Sequence, residues 1–225
     1  MHTVDRNTVR HVRHHRIMDA WPLRHLVLRT PRLELRPDDD AALLELVEVA
    51  RDGVHDPSEM PFNVPWTDDL GDGRGLLQHF WGQRAKFSSA DWVIPFVVRY
   101  EGKAIGVQDI GARDFSVLRE VGTGSWLGKR FQGNGFGTEM RVAVLQFAFD
   151  HLGADVARSA AWLGNHASNR VSAKLGYVHD GTLRIAPRGE RLEHVRLRLD
   201  AADFVRPEWN VTVEGLAECV QLITS

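Results

Sequence analysis

The sequence predicts a mixed α+β domain: a mixed, mostly antiparallel sheet with helices on its faces. Three observations carry that prediction. Residues 121–127, a glycine-dense turn at 132–137, an apolar run at 140–152 and a β-prone run at 156–163 read as strand, turn, helix and strand. Such a βαβ unit sets its two strands parallel, with a right-handed crossover. Residues 93–100 and 104–110 flank Glu101-Gly102-Lys103 in the pattern of a hairpin. Two more strand-like runs, 178–185 and 191–199, are joined by a polar turn at 186–190. With the N-terminal part, the order becomes βαα-βββ-α-β-α-ββ.

The N-terminal elements follow from local chemistry. Residues 26–36 alternate as a single edge strand, and Pro37 with three aspartates then caps a helix at 40–50. Leu43, Leu46 and Val47 fall on its core face. Pro57, Pro61 and Pro65 make 53–66 a loop, since proline suppresses helix and ladder pairing. Met60, Phe62 and Trp66 in that loop either cover a pocket or pin the loop to the core. A second helix at 73–86 turns Leu76, Leu77, Phe80 and Trp81 inward, and 111–118 reads as a loop. Residues 200–225 form a tail, in which 209–216 has the composition of an added edge strand.

The chain of 225 residues is the size of one domain with tails: an extension at 1–20, the main domain at 21–200 and a tail at 201–225. Hydrophobic residues at 43% and charged residues at 26% are ordinary for a soluble globule. The formal net charge of -2 gives no bulk attraction to nucleic acid or membrane. No apolar run is long enough for a signal peptide or a membrane span. The single cysteine, Cys219, excludes an internal disulfide and fits a reducing, cytoplasmic setting. A homo-oligomer is compatible with this composition. Residues 1–20 differ from the rest, mixing arginines 6, 10, 13 and 16 with histidines 2, 11, 14 and 15. The favoured reading is a frayed, disordered extension, ahead of a nucleic-acid arm or a metal-binding tract.

Gln132-Gly133-Asn134-Gly135-Phe136-Gly137-Thr138 holds the most specific chemistry. Glycines let the backbone approach a ligand and adopt positive φ. The helix start then offers unpaired N–H groups and a positive dipole end to an anion. A glycine turn alone is weak, and a loop without a ligand is the competing reading. The spacing is neither the dinucleotide fingerprint nor a Walker A loop, because Gly137-Thr138-Glu139 ends without the required lysine.

Two motifs together resemble the GNAT superfamily of acyl-CoA N-acyltransferases, in its RimJ/RimL-like ribosomal-protein N-acetyltransferase branch. Gln132, Gly135 and Gly137 meet [QR]-x-x-G-x-[GA]; Asn165, Ser168, Arg170, Val171, Lys174, Leu175, Gly176 and Tyr177 meet N-x-x-S-x-R-V-x-x-K-L-G-[FY]. The likeness runs over about residues 28–199. Segments 55–66, 106–110 and 124–141 are similar to actinobacterial members assigned as acetyl- or succinyltransferases. The resemblance implies the GNAT fold, with central parallel strands that splay apart. It also implies acetyl-CoA or succinyl-CoA as donor, a primary amine as acceptor and no metal. The amides of residues 133–138 would cradle the pyrophosphate, with Lys129 or Arg130 adding charge. Trp126, Leu127, Asn165 and Ser168 would line the pantetheine path. Asn165 equally suits a helix N-cap.

For catalysis, the resemblance points to Ser172 as the group that meets the leaving thiolate, against a bland reading as a small packing residue. RimJ/RimL-like chains often carry an acid two positions before the Gly-x-Trp of the central strand; here Gly122 stands there. Glu120 shares that strand face one pleat further back, and Asp109 lies on the neighbouring strand. Both are candidate bases, and each is also readable as a solvated carboxylate. The missing acid favours one rival, a non-catalytic acyl-CoA binder, which release of CoA thiol with an amine substrate would exclude. The basic first twenty residues favour another, a nucleic-acid module.

Overall fold

The computed structural model describes residues 19–225. The histidine- and arginine-rich stretch, and with it the nucleic-acid and metal readings, lies almost wholly outside the described residues. Among these, nine strands form one sheet in the order β7-β8-β6-β5-β4-β3-β2-β1-β9. The strands are β1 (Val27–Arg29), β2 (Leu33–Pro37), β3 (Asp91–Tyr100), β4 (Lys103–Arg113), β5 (Glu120–Leu127), β6 (Val156–Trp162), β7 (Val178–Ile185), β8 (Leu192–Asp200) and β9 (Thr212–Glu214). The pair β5–β6 is parallel and every other pair is antiparallel.

Helices cover both faces. On one side lie α1 (Asp40–Arg51) and α2 (Arg74–Lys86). Asp39 caps α1 by accepting from the Ala42 amide at 2.8 Å. Leu43, Leu46 and Val47 are buried against Val97, Ala104 and Val107 of the sheet. On the other side α4 (Phe136–Gln146) continues through a wider π-type turn, Phe147–Leu152. Residues 139–146 are buried throughout, as expected of a helix apolar on nearly all sides. Between β4 and β5 lies the short helix α3 (Phe115–Leu118), and after β6 comes α5 (His166–Lys174).

Four expectations need correction. The strand read over 26–36 is two strands, because Pro31 turns the chain while Thr30 Oγ1 accepts from the Leu33 amide at 2.9 Å. Trp81 is 43% exposed rather than inward; its indole N–H donates to Asp40 at 3.0 Å, bracing α2 on α1. Residues 111–118 are not all loop, since β4 runs to Arg113 and α3 follows. Finally, the tail packs into the core. It contains the edge strand β9 and also α6 (Leu216–Thr224), with Val211, Cys219 and Ile223 buried. Gln146 of α4 holds it, donating to the Trp209 carbonyl and accepting from the Val211 amide.

A buried carboxylate fastens the first turn of α4 to the turn between β1 and β2. Glu139 accepts from Thr30 Oγ1 (2.6 Å), the Arg32 amide (3.0 Å) and Arg32 Nε (2.7 Å). Removing one partner of such a buried group strands the others. Glu139→Ala is therefore expected to cost about 3 kcal/mol, a Tm fall of roughly 6–12 °C by calorimetry. Glu48→Ala, at an exposed pair with Arg51, should cost under about 0.5 kcal/mol.

Asp38 gives the fold a pH dependence. Burial pushes its carboxyl up to about 6, against the pull of Arg84 at 3.0 Å. The native state then holds a proton that the unfolded chain has released, so stability falls as pH rises from about 4 to about 6. The loss is roughly 3 kcal/mol across that window. Denaturant titrations of Asp38→Asn should lack this slope.

Candidate active site

The site forms where β5 and β6 part. Their parallel pairing covers only Glu120↔Val156, Val121↔Ala157 and Gly122↔Arg158. Next, weak side-chain links replace the ladder: Thr123 Oγ1 donates to the Arg158 carbonyl and Ser159 Oγ to the Thr123 carbonyl, both at 3.4 Å. Beyond them β5 runs on to Leu127 paired only with β4. Arg141 of α4, itself buried, reaches across the opening. It donates to Ser125 of β5 (3.2 Å), Ser159 of β6 (3.3 Å) and Gln108 of β4 (3.3 Å).

The glycine turn closes one end of this opening. Gly133 and Gly135 have φ of +78° and +81°, a backbone that L side chains enter only under strain. A Cβ on Gly133 would meet nothing within 4 Å, so the glycine there answers to conformation and leaves open space. Among the described residues, the amides of 133–137 find no acceptor, while those of Thr138 and Glu139 both donate to the Gly135 carbonyl at 3.1 Å. Five unpartnered donors at a helix start are the arrangement that suits an anion. Thr138, expected to contribute its amide, is thus already engaged.

The side chains around this turn are engaged within the protein. Gln132 donates to the carbonyls of Val54 (2.7 Å) and Leu127 (2.9 Å), clipping the turn to the end of β5. Asn134 donates back to the Gln132 carbonyl at 3.1 Å. Phe136 is buried, with Arg32 stacked 4.6 Å over its ring. Arg32 also donates to the Asn134 carbonyl at 3.1 Å, making it the guanidinium that braces the cradle. Arg130 turns instead to Asp52, 2.7 Å away. No motif in the sequence marks Arg32. Arg141 was detectable in principle, as a lone cation inside an apolar run.

At the other end of the opening, Asn165 caps α5 by accepting from the Ser168 amide at 3.1 Å. Ser172, two turns on, is 1% exposed and its hydroxyl has no partner among the described residues.

Opposed residues share a sheet face, so Glu120, Gly122, Gly124, Trp126 and Asp109 all look toward the α1–α2 side. Glu120 is engaged by Arg158, with Nη2–Oε1 at 2.9 Å, and Arg158 also pairs with Asp180. Asp109 lies directly opposite Gly124 and accepts from its amide. A Cβ on Gly124 would come within 2.9 Å of the Asp109 carboxylate, whereas one on Gly122 would be nearly unobstructed. Asp109 thus stands one pleat along from the open position at Gly122, on the same face of the sheet. Burial pushes the Asp109 carboxyl above the usual carboxylate range, against the Gly124 hydrogen bond and the charges of Arg141 and His79.

A roof crosses this face. His55, Phe62, Trp66 and Trp126 form an aromatic chain with successive ring centroids 5.5, 5.3 and 5.4 Å apart, so the proline-rich loop rests on β5. Its continuation meets the β7–β8 turn through Arg188 Nε and Asp68, 2.7 Å apart. Among the described residues no group of three His, Cys, Asp or Glu is placed to hold a metal, and no helix is long and apolar enough to cross a membrane.

Comparison with known proteins agrees with this fold. A Mycobacterium smegmatis RimJ structure in complex with CoA-disulfide superposes with a TM-score of 0.65 at 18% identity, covering 89% of this chain and 95% of that one. A ribosomal L7/L12 α-N-protein acetyltransferase, RimL, in complex with coenzyme A gives 0.63 at 17% identity, covering 77% and 97%. YdaF of Bacillus subtilis (strain 168), named provisionally as a ribosomal N-acetyltransferase, is 28% identical over 85 residues. That match spans 38% of this chain and 46%, under half, of the relative's length. The family model described as the acetyltransferase (GNAT) domain matches residues 26–178, about two thirds of the sequence. The chain belongs to the GNAT acetyltransferase family.

Proposed function

We propose that this protein transfers an acetyl group from acetyl-CoA to the α-amino group of a peptide or protein. The observation that carries the reading is the row of unpartnered amides at 133–137 beside the opening between β5 and β6. The diphosphate of CoA binds those amides; charge-assisted hydrogen bonds of about 1.5–3 kcal/mol each suffice to anchor it. The pantetheine arm follows the free edge of β5 at Trp126 and Leu127, with the Asn165 amide group on the far side.

Chemistry is a single displacement. The amine nitrogen attacks the thioester carbonyl carbon, the C–S bond breaks and the thiolate leaves. Asp109 takes the amine proton, its raised pKa making it a better base than an ordinary carboxylate. Glu120, neutralised by Arg158, sets the field of the cleft rather than moving the proton. The orphaned hydroxyl of Ser172 donates a hydrogen bond to the thiolate. A covalent cysteine intermediate is disfavoured, because Cys219 is buried in the core with its thiol pushed up to about 11. Acetyl is favoured over succinyl as the donor group, since neither cation at the cleft is free: Arg158 is shared by two carboxylates, and Arg141 is taken up by Ser125, Ser159 and Gln108. The peptide acceptor follows the names of the RimJ- and RimL-type relatives, ahead of lysine side chains and small amines. The glycine at 122 supports one second reading, a non-catalytic acyl-CoA binder.

A thiol-release assay with acetyl-CoA and succinyl-CoA against a panel of peptides and amines tests these readings. Turnover with acetyl-CoA is expected; CoA binding without turnover of any acceptor would favour the binder. Acetyl-CoA at about 100 times its Kd should stabilise the fold by about 2.7 kcal/mol, a Tm rise of roughly 5–11 °C. For catalysis, kcat/KM should rise with pH through the Asp109 ionisation, because the base must be deprotonated. Asp109→Asn should lower kcat by about 10²–10⁴ and abolish that acid limb. A parallel pH profile in the variant would remove Asp109 from the mechanism.

A further inference from the structure

His194 of β8 is unaccounted for by the roles above. It lies opposite Trp162 of β6 and Leu183 of β7. Opposed residues share a face, and by the same register Arg196 pairs with Ala160 and Arg198 with Arg158. Arg158 in turn opposes Gly122. His194 therefore looks to the side that carries Asp109, Glu120 and Trp126, whereas Val195, Leu197 and Leu199 point into the core beneath α4. It stands at the end of β6 furthest from the pairing with β5, one strand spacing of about 4.8 Å behind that strand.

The ring is 3% exposed, and neither Nδ1 nor Nε2 has a partner among the described residues. Two orphaned nitrogens on one buried ring are unusual, since buried polar side chains nearly always find a partner. Residues sharing its face at the hairpin end, Trp162, Leu183, Ile185 and Leu192, are mainly apolar. Burial holds the ring below its ordinary pKa, hence neutral, with one N–H donor and one acceptor nitrogen.

Given the acyltransferase reading above, on which this rests, we infer that His194 binds the first peptide group of the acceptor, beside the reacting amine. A peptide group offers one acceptor and one donor, the complement of a neutral imidazole. An alkylamine or polyamine offers only donors and leaves the ring N–H unmet. The acceptor class selected is thus a peptide with a free α-amine, and His194 is a specificity residue for it.

The test uses the full chain, acetyl-CoA, a panel of free-amine tetrapeptides differing in their first residue, and n-butylamine as the acceptor without a peptide group. His194→Leu should raise the KM of the reactive tetrapeptides about tenfold or more, leave kcat/KM for n-butylamine within about twofold, and leave the CoA-induced Tm shift unchanged. His194→Asn, which keeps a donor and an acceptor, should recover part of the peptide KM. The Tm of unliganded His194→Leu should be equal to or above wild type, because an unbonded ring contributes no hydrogen bond to lose; a marked fall would make the residue structural and overturn the inference. An unchanged peptide KM, an equal loss for n-butylamine, or no turnover of any tetrapeptide would also overturn it. Absence of a CoA-induced shift in the wild-type chain would instead strike down the reading of the glycine turn, and this inference with it.

Discussion

Five amides pointing at nothing, at the mouth of a buried helix, are the constraint around which this protein is arranged. Such groups are costly where water is excluded and useful where an anion can enter. Holding them outward requires two left-handed residues, which only glycine adopts without strain. It also requires that the turn not collapse onto itself. Gln132 prevents collapse on one side by binding two carbonyls; Arg32 and Glu139 prevent it on the other by tying the turn to β1 and β2. Much of the strongest polar bonding near the site therefore serves to keep weak groups unbonded.

The parting of β5 and β6 follows the same logic. A parallel pair that stopped abruptly would leave a row of unmet backbone groups in the middle of a sheet. Here the change is graded: three paired residues, then hydroxyl links, then Arg141 spanning the gap through two serines. The opening has a floor of polar side chains on the α4 side and a roof of stacked aromatics on the other. The Arg188–Asp68 pair joins that roof to the β7–β8 turn, so the two segments that bound the cleft are linked by one exposed ion pair.

The sequence revealed the parts governed by local rules and missed those settled across the sheet. Asp39 before α1, the hairpin at Glu101-Gly102 and the glycines at 133 and 135 each carry their own signal, and each stands where residue chemistry puts it. Trp81 was misread because helical periodicity cannot tell an inward indole from one that stops at the rim to reach Asp40. The tail hid its helix because its anchor, Gln146, lies more than sixty residues away, where a polar residue in an apolar run looks like noise. The candidate site divides in the same way. The left-handed turn was legible from glycine spacing and the Asn165 cap from capping preference, whereas the two carbonyls that Gln132 binds lie outside any local pattern. Glu120 and Asp109 looked equivalent as carboxylates on adjacent strands. Only the register, with Arg158 beside one and Gly124 beneath the other, separates them. Arg32 and His194 gave no local signal at all.

The central claim concerns specific atoms, so the most direct measurement is atom-specific. Backbone amide resonances of the full chain, followed by NMR during titration with CoA, report each N–H separately. The account predicts that Gly133, Asn134, Gly135, Phe136 and Gly137 shift most and become protected from solvent exchange, while Thr138, already bonded to Gly135, changes less. Binding that perturbed other regions and left those five amides unmoved would contradict it.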